Sequence, residues 1–248
     1  MNEIQHFQIT ADLHTHTVAS THGYSTINEM AAAAKAAGLK VLAITDHGPA
    51  MPDSPHCWHF RNYKVLPPEI DGVAMLYGVE ANIIDEFGTL DMDEKELSFC
   101  EWVVASYHGE CVQFERTPAL ISQGYQMLCR NPHVDVIGHP TTDLFPFDYE
   151  SVLKCFKEAG KLVELNESSL KWKKGALKNA AAVYALCKKH EIPIVVNTDS
   201  HYCGLVGRTP IAEQLLSDLD FPRDLIYNLD ADRVAEMAAK KKKSLSAY

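Results

Sequence analysis

Apolar residues along the chain fall into two kinds of segment that take turns. Short continuous runs rich in Val, Ile and Leu read as strands covered on both faces: "FQITADLH" (7–14), "LKVLAIT" (39–45), "GVAMLYGVE" (72–80), "CEWVVASYH" (100–108), "VDVIGH" (134–139), "KLVELN" (161–166) and "IPIVVNT" (192–198). Between them lie longer segments with helical spacing: "INEMAAAAKAAG" (27–38), "PALISQGYQMLCR" (118–130), "SVLKCFKEAG" (151–160) and "ALKNAAAVYALCKKHE" (176–191). Thr26 and Glu29 form a capping-box pattern, and Gly38 and Gly160 stand where a helix-ending glycine belongs. Lys188 and Lys189 suit the negative end of their helix. Seven apolar strands alternating with helices imply parallel pairing through right-handed crossovers. A closed or nearly closed α/β barrel over residues 1–248, as one domain, is favoured over an open doubly wound sheet. No glycine-rich nucleotide fingerprint follows the first strand. The stretch from Gly48 to Gly72, with its Pro, His and Trp residues, reads as an irregular rim or lid.

Composition narrows the setting. The chain has 248 residues, 46% of them hydrophobic, enough for a sizeable core. Its net charge of −10 argues against long nucleic acid and anionic membranes as partners. The basic run Lys240 to Lys243 reads as a solvated helix end. Seven scattered cysteines without a CxxC pair fit a reduced, cytoplasmic setting. Met1 to Thr10 lacks the apolar core of a signal peptide, and no run approaches a membrane span.

"DLHTHT" is the first sign of chemistry. In an extended strand His14 and His16 point to one face, so two imidazoles aim at one spot. The other strand ends repeat the theme. The second carries Asp46 and His47, the third Glu80, the fourth His108, the fifth His139 and the last Asp199 and His201. His22 follows the first. In parallel barrels this end builds the active site. Any one of these histidines read alone is a core residue. Seven of the twelve at matched points, with Glu80 and Asp199, make a metal pattern. Imidazole and carboxylate without a well-placed thiolate suit zinc, manganese or ferrous iron. Nine ligands, at about three to four per ion, would serve two or three ions. The remaining five histidines are assigned elsewhere or left outside the site: His6, His133 in a turn, His190 closing a helix, and His56 and His59 beside Trp58, lining a substrate mouth or the surface.

The motifs "DLHTHT", "TDHG", "GVE", His108, "IGHP" and "DSH", in this order, resemble the PHP (polymerase and histidinol phosphatase) family. "TVAST" and "PHCWHF" resemble its YcdX-like phosphatase branch. The resemblance runs from about residue 9 to about residue 235. It implies a distorted (β/α)7 barrel holding three divalent metal ions, usually zinc. It also implies the ligand sets: His14, His16, Glu80 and Asp199 for one ion; Glu80, His108 and His139 for a second, with Glu80 bridging; His22, His47 and His201 for a third. Cys57 in "PHCWHF" is given no ligand role.

Three such ions would make a positive pocket in an acidic protein and so attract a phosphate. The expected activity is hydrolysis of small phosphomonoesters by metal-activated hydroxide, with no phosphoenzyme. No side chain is assigned as catalytic beyond the metal-organising carboxylates Glu80 and Asp199. Arg61, Lys64 and Arg208 are candidate phosphate contacts, with surface ion pairs as the plainer reading. Asn166 and Ser168 stand where they could face the pocket. The alternatives are a histidinol-phosphate phosphatase, a 3′–5′ exonuclease or nucleotide phosphatase, and a non-catalytic metal-binding module. A homotrimer is a further expectation from the resemblance.

Overall fold

The computed structural model describes residues 7–245. His6 and the rest of the segment before Phe7 lie outside them. In chain order the elements are β1 (Ala11–Asp12), α1 (Ile27–Ala36), β2 (Val41–Ile44), α2 (Trp58–Arg61), β3 (Glu69–Ile70), β4 (Val73–Asn82), α3 (Glu94–Leu97), β5 (Trp102–Ser106), α4 (Pro118–Leu128), β6 (Val136–Ile137), α5 (Tyr149–Glu158), β7 (Leu162–Asn166), α6 (Glu167–Trp172), α7 (Ala176–Lys189), β8 (Ile194–Asn197), α8 (Pro210–Asp218) and α9 (Ala231–Leu245). Seven strands pair in parallel in the order β1-β2-β4-β5-β6-β7-β8, while β3 hairpins antiparallel onto β4. The long segment after β2 is thus less irregular than expected: it holds α2 and β3.

The seam between β1 and β8 is closed by several bonds. Asp199 N donates to His14 O (3.0 Å) and His16 N to Ser200 O (2.8 Å). Lower down, buried Asn228 donates through Nδ2 to Ala11 O (2.7 Å) and Val196 O (2.6 Å). The result is a nearly closed barrel of seven parallel strands with helices between them.

Local chemistry explains the helix ends. Thr26 and Glu29 form the expected capping box on α1. Gly38 and Gly160 take positive φ (78° and 68°), which lets the chain leave α1 and α5 and enter the next strand.

Strand alternation divides the barrel interior into two layers. At the bottom, Ala11, Leu13, Val41, Ala43, Trp102, Val104, Val136, Leu162 and Val195 form an apolar plug, capped by Val234 of α9. Two residues further along β7 and β8 the same face carries Glu164 and Asn197, both fully buried. A second, larger apolar layer lies between the sheet and the helices. Lys241 of α9 is a correction to the solvated-helix reading. It is buried and pairs with Asp135 at 2.5 Å, whereas Lys240 and Lys242 are about four-fifths exposed. Among the described residues no helix is long and apolar enough to cross a membrane.

Candidate metal centre

All nine residues singled out at the strand ends lie at one end of the barrel. His14, His16, His47, Glu80, His108, His139 and Asp199 are buried there. His201 is partly buried, and the His22 side chain is 54% exposed.

Glu80 is the centre of the arrangement. Its Oε2 lies 3.4 Å from His14 Nε2, 3.6 Å from His16 Nε2 and 2.9 Å from His47 Nδ1. Its Oε1 lies 3.3 Å from His108 Nε2 and 2.8 Å from His139 Nε2. One carboxylate therefore presents one oxygen to each of two histidine groups. Asp199 Oδ1 completes the first group, 3.6 Å from His14 Nε2 and 3.2 Å from His16 Nε2.

These distances bear on what the groups can hold. Ligands placed about 2.0–2.1 Å from a tetrahedral ion stand about 3.3–3.4 Å apart. The four contacts among His14, His16, Glu80 and Asp199 span 3.2–3.6 Å. Hydrogen bonds do not account for this packing. His14 Nε2, His16 Nε2, His47 Nδ1 and His201 Nε2 are buried without a hydrogen-bond partner, and buried polar atoms in native proteins are rarely left so. His47 Nδ1 is close to Glu80 but lacks the angle of a hydrogen bond. The donor set and its spacing fit divalent cations.

The outer nitrogens are held by the chain. His14 Nδ1 donates to Glu164 Oε1 (2.7 Å), which turns Nε2 toward Glu80. Asn82 Nδ2 is engaged by Asp91 and Gly48 O, so Asn82 Oδ1 is left to accept from His108 Nδ1 (2.7 Å). Ser20 Oγ donates to Asp46 Oδ1 (2.8 Å) and so stands as acceptor for His16 Nδ1 (3.3 Å). His201 Nδ1 donates to its own neighbour, Asp199 O (3.1 Å). Asp46, the partner of His47 in the second motif, also accepts from Thr17 N (2.7 Å) and Thr17 Oγ1 (2.8 Å). It thereby fixes the loop between His16 and His22.

Backbone conformation serves the same end. His139 (φ 28°) and Asp199 (φ 53°) sit in the left-handed region that side chains other than glycine seldom adopt. Glu164 Oε2 accepts from the His139 backbone N (2.7 Å), and Asn166 Nδ2 donates to Asp199 Oδ2 (3.1 Å). The glycine of "IGHP" is required by space: a Cβ at Gly138 would lie 2.0 Å from Ser106 Oγ.

Without cations, protons and carboxylates balance one another. Burial opposes a charge on His14, yet the carboxylates of Glu164, Glu80 and Asp199 hold its pKa well above the usual histidine value. Burial, with His201 and His47 nearby, holds His16 well below it. Glu80 is buried, which alone would raise its pKa, but His108 and His14 hold it well below the carboxylate range. Asp199 behaves likewise beside His14 and His16.

Sequence reasoning missed Asn82 and Ser20, which hold His108 and His16, and two carboxylates. Glu164 is fully buried, and its two oxygens accept from four donors: His14 Nδ1, Asn197 Nδ2, His139 N and Asn166 Nδ2. The signal was a carboxylate inside a buried apolar strand. Asp53, from the segment after β2, pairs with His22 Nδ1 at 2.6 Å. His47 thus belongs to three sets: one with His16 and His201, one with His22 and Asp53, and one with Glu80 and His108. The rings of His22 and His201 stack at 4.2 Å.

Other candidates are placed differently. Arg61 pairs with Glu96, and Arg61 and Lys64 line a groove of about 670 Å³ against α9 that contains none of the nine residues. They are not placed for a phosphate held at the cluster. Arg208 is exposed. Asn166 belongs to the site through Glu164 and Asp199, while Ser168 is half-buried. His59 Nε2 lies 3.5 Å from Asp46 Oδ2, and exposed His56 meets the Trp58 ring edge-on. His133 is a buried turn residue, and His190 pairs with Glu150. Cys57 is half-buried, its sulfur 3.8 Å from His56 Nδ1.

A parallel barrel with imidazoles and carboxylates converging at its strand ends defines a metal-dependent hydrolase architecture. The chain belongs to the PHP domain family, whose signature matches residues 12–168. It is 43% identical to a probable phosphatase of Clostridium novyi, over 90% of this chain and 91% of that one. It is 42% identical to a probable phosphatase of Acetivibrio thermocellus, over 96% and 98% of the two chains. A crystal structure of histidinol phosphate phosphatase from Lactococcus lactis, complexed with zinc, L-histidinol and phosphate, shares the fold: TM-score 0.56 and 15% identity over 86% of this chain and 94% of that one. The protein is a phosphatase hydrolase.

Proposed function

We propose that the protein hydrolyses small phosphomonoesters at a centre of three divalent ions, with zinc as the resident metal. The observation that carries the reading is the Glu80 carboxylate, whose two oxygens face two separate histidine groups. His14, His16, Glu80 and Asp199 would hold one ion, and Glu80, His108 and His139 a second. His22, His47 and His201 would hold the third, with Asp53 orienting His22. Bound there, divalent ions supply Lewis acidity and lower the pKa of water to roughly 7.

The chain's own residues do the rest. Glu164 and Asn82 keep Nδ1 of His14 and His108 engaged, so that Nε2 is directed inward and is the nitrogen left for an ion. Glu80 and Asp199 supply two negative charges against the six of three divalent ions, so the loaded pocket remains cationic and favours a dianionic phosphoryl group. Burial of the cluster strengthens that attraction. No serine, cysteine or aspartate is needed as a covalent nucleophile.

The test is phosphate release from a panel of phosphomonoesters, with nitrophenyl monoester and diester compared by kcat/KM. The reading expects monoester hydrolysis that a chelator abolishes and divalent metal restores. A diester or single-stranded DNA turned over about tenfold faster would replace it with a nuclease.

A further inference from the structure

The glycine of "TDHG" supplies no ligand, yet its place leaves no room for a side chain. A Cβ at Gly48 would lie 2.7 Å from Asp91 Oδ2, 2.8 Å from Asp91 Oδ1 and 3.1 Å from Asp91 Cγ. Gly48 does not take positive φ, so space and not conformation demands the glycine. Asp91 reaches this position through a hairpin that continues β4. Ile83 bridges Leu90 antiparallel, Ile84 N donates to Thr89 O (2.9 Å) and Asp91 N to Asn82 O (3.0 Å). Asp85 Oδ1 closes the turn by accepting from Phe87 N and Thr89 N, both at 2.9 Å.

Both oxygens of the Asp91 carboxylate are used. Oδ1 accepts from Asn82 N (2.8 Å), and Oδ2 accepts from Asn82 Nδ2 (2.5 Å) and Ala50 N (2.8 Å). Acceptance at both oxygens is the pattern of an ionised carboxylate. One group thus joins the segment that follows His47 to the buried residue that holds His108. The oxygen and nitrogen of a side-chain amide are nearly alike in shape, so chemistry must choose which way the amide faces. As a pure acceptor Asp91 takes Asn82 Nδ2, and Gly48 O takes it as well (3.2 Å). Asn82 Oδ1 is left for His108 Nδ1 (2.7 Å). His108 then carries its proton on Nδ1, and its Nε2 faces Glu80 Oε1 (3.3 Å).

We propose that Asp91 is a positioning residue of the metal centre: through Asn82 it fixes the orientation and tautomer of His108, and Gly48 is glycine to admit its carboxylate. This rests on the metal-centre reading above. His14 receives a carboxylate directly, from Glu164 Oε1 (2.7 Å), whereas His108 receives one through an amide. An asparagine at 91 would set an N–H against either Asn82 N or Asn82 Nδ2. The backbone N is fixed, so the Asn82 amide is the partner that can turn over. Its Nδ2 then meets His108 Nδ1, and the imidazole proton shifts to Nε2, the nitrogen an ion needs.

Cobalt titration of the full-length metal-free protein, followed by visible absorption and by competition with a chelator, tests this. Asp91→Asn should weaken the binding of at least one ion by about tenfold or more and shift the visible bands. Gly48→Ala should cost a similar factor in the parent and little in an Asp91→Ala background, where the new Cβ meets no carboxylate. Asp85→Ala loosens the hairpin turn without touching the partners of Asp91. It should lower the thermal midpoint and leave cobalt affinity and spectrum as in the parent. Parent-like binding and absorption in Asp91→Asn overturn the proposal. So does a Gly48→Ala loss that is undiminished in the Asp91→Ala background, or an Asp85→Ala loss of affinity as large as that of Asp91→Asn, which would make the hairpin a structural unit only. None of these readouts needs turnover. A parent that loads cobalt but releases no phosphate from any monoester contradicts the proposed reaction and not the role of Asp91.

Discussion

Both ends of the barrel bury charge, but they treat it differently. At the bottom, Asp135 accepts from Val103 N (2.8 Å) and from Lys241 (2.5 Å), and Lys161 donates to Asn131 O (2.6 Å) and Val134 O (2.8 Å). Every one of these charged groups is met by its neighbours. At the top, seven imidazoles crowd around two carboxylates, and four of their nitrogens are buried with no hydrogen-bond partner. A structural polar network closes on itself, whereas a binding site leaves its inner atoms for something else. The contrast lies in how many such atoms converge: among the described residues, the lower plug has the single Trp102 Nε1 without a partner, whereas the four imidazole nitrogens meet at two carboxylates.

Substitutions at the two ends should therefore fail in different ways. The largest effect belongs to Glu80→Ala, which removes the group facing both histidine sets. Phosphatase activity should drop by about a thousandfold or more, with loss of metal from both sets. His22→Ala, at the exposed edge, should cost less metal and less activity. Full metal and activity in the Glu80 variant would remove the bridging role.

At the other end, Lys241→Met leaves Asp135 buried without its partner. Breaking a buried pair this way costs about 3–5 kcal/mol, to be read as a lower midpoint in urea unfolding. Metal content and kcat/KM of the folded variant should stay as in the parent. An activity loss without a stability loss would undo the distinction between the two ends.

Glu164→Gln keeps the size of the side chain but loses the charge that receives His14 Nδ1 and His139 N. Metal affinity should fall by about 10–100-fold, with an altered visible spectrum in the cobalt-substituted protein. A change in thermal stability alone, with an unshifted spectrum, would reduce Glu164 to a packing residue.

A smaller effect follows from His14 and His47, whose pKa values are raised in the metal-free protein despite burial, by Glu164 and Glu80 respectively among their neighbours. A histidine with a raised pKa holds its proton at neutral pH, so metal must displace it. Apparent affinity should rise with pH until the folded-state pKa of His14 is passed, and loading at neutral pH should release protons. Calorimetry in buffers of differing ionisation enthalpy measures the number released. Zero release would contradict the proposed charge balance.

Much of this contrast is legible in the sequence, and unevenly so. The top end announces itself because strand ends are short, and each places its histidine or acid within a residue or two of an apolar run: "DLHTHT", "TDHG", "GVE", "IGHP" and "DSH". Parallel crossovers then gather these ends with no further information. Glu164 escaped because a lone acid in "KLVELN" looks like a strand residue until His14, Asn166 and Asn197 are seen around it. Asp53 escaped because its meeting with His22 depends on the path of a long loop. Lys241 sits in a run of four lysines, and only the packing of α9 against the barrel bottom tells it from its neighbours. Arg61 and Lys64 failed as phosphate contacts for the same reason: their segment folds toward α9 and away from the cluster. Helix α8 was readable in hindsight from Thr209 and Pro210, with Glu167 supplying the cap through Ile211 N (3.0 Å) and Ala212 N (2.8 Å).

The most direct test of the top end as a metal centre is elemental analysis of the full-length protein, purified without chelator and again after reconstitution with zinc. Three divalent ions per chain are expected, falling by at least two in Glu80→Ala and unchanged in Lys241→Met. One ion or none after reconstitution would contradict it.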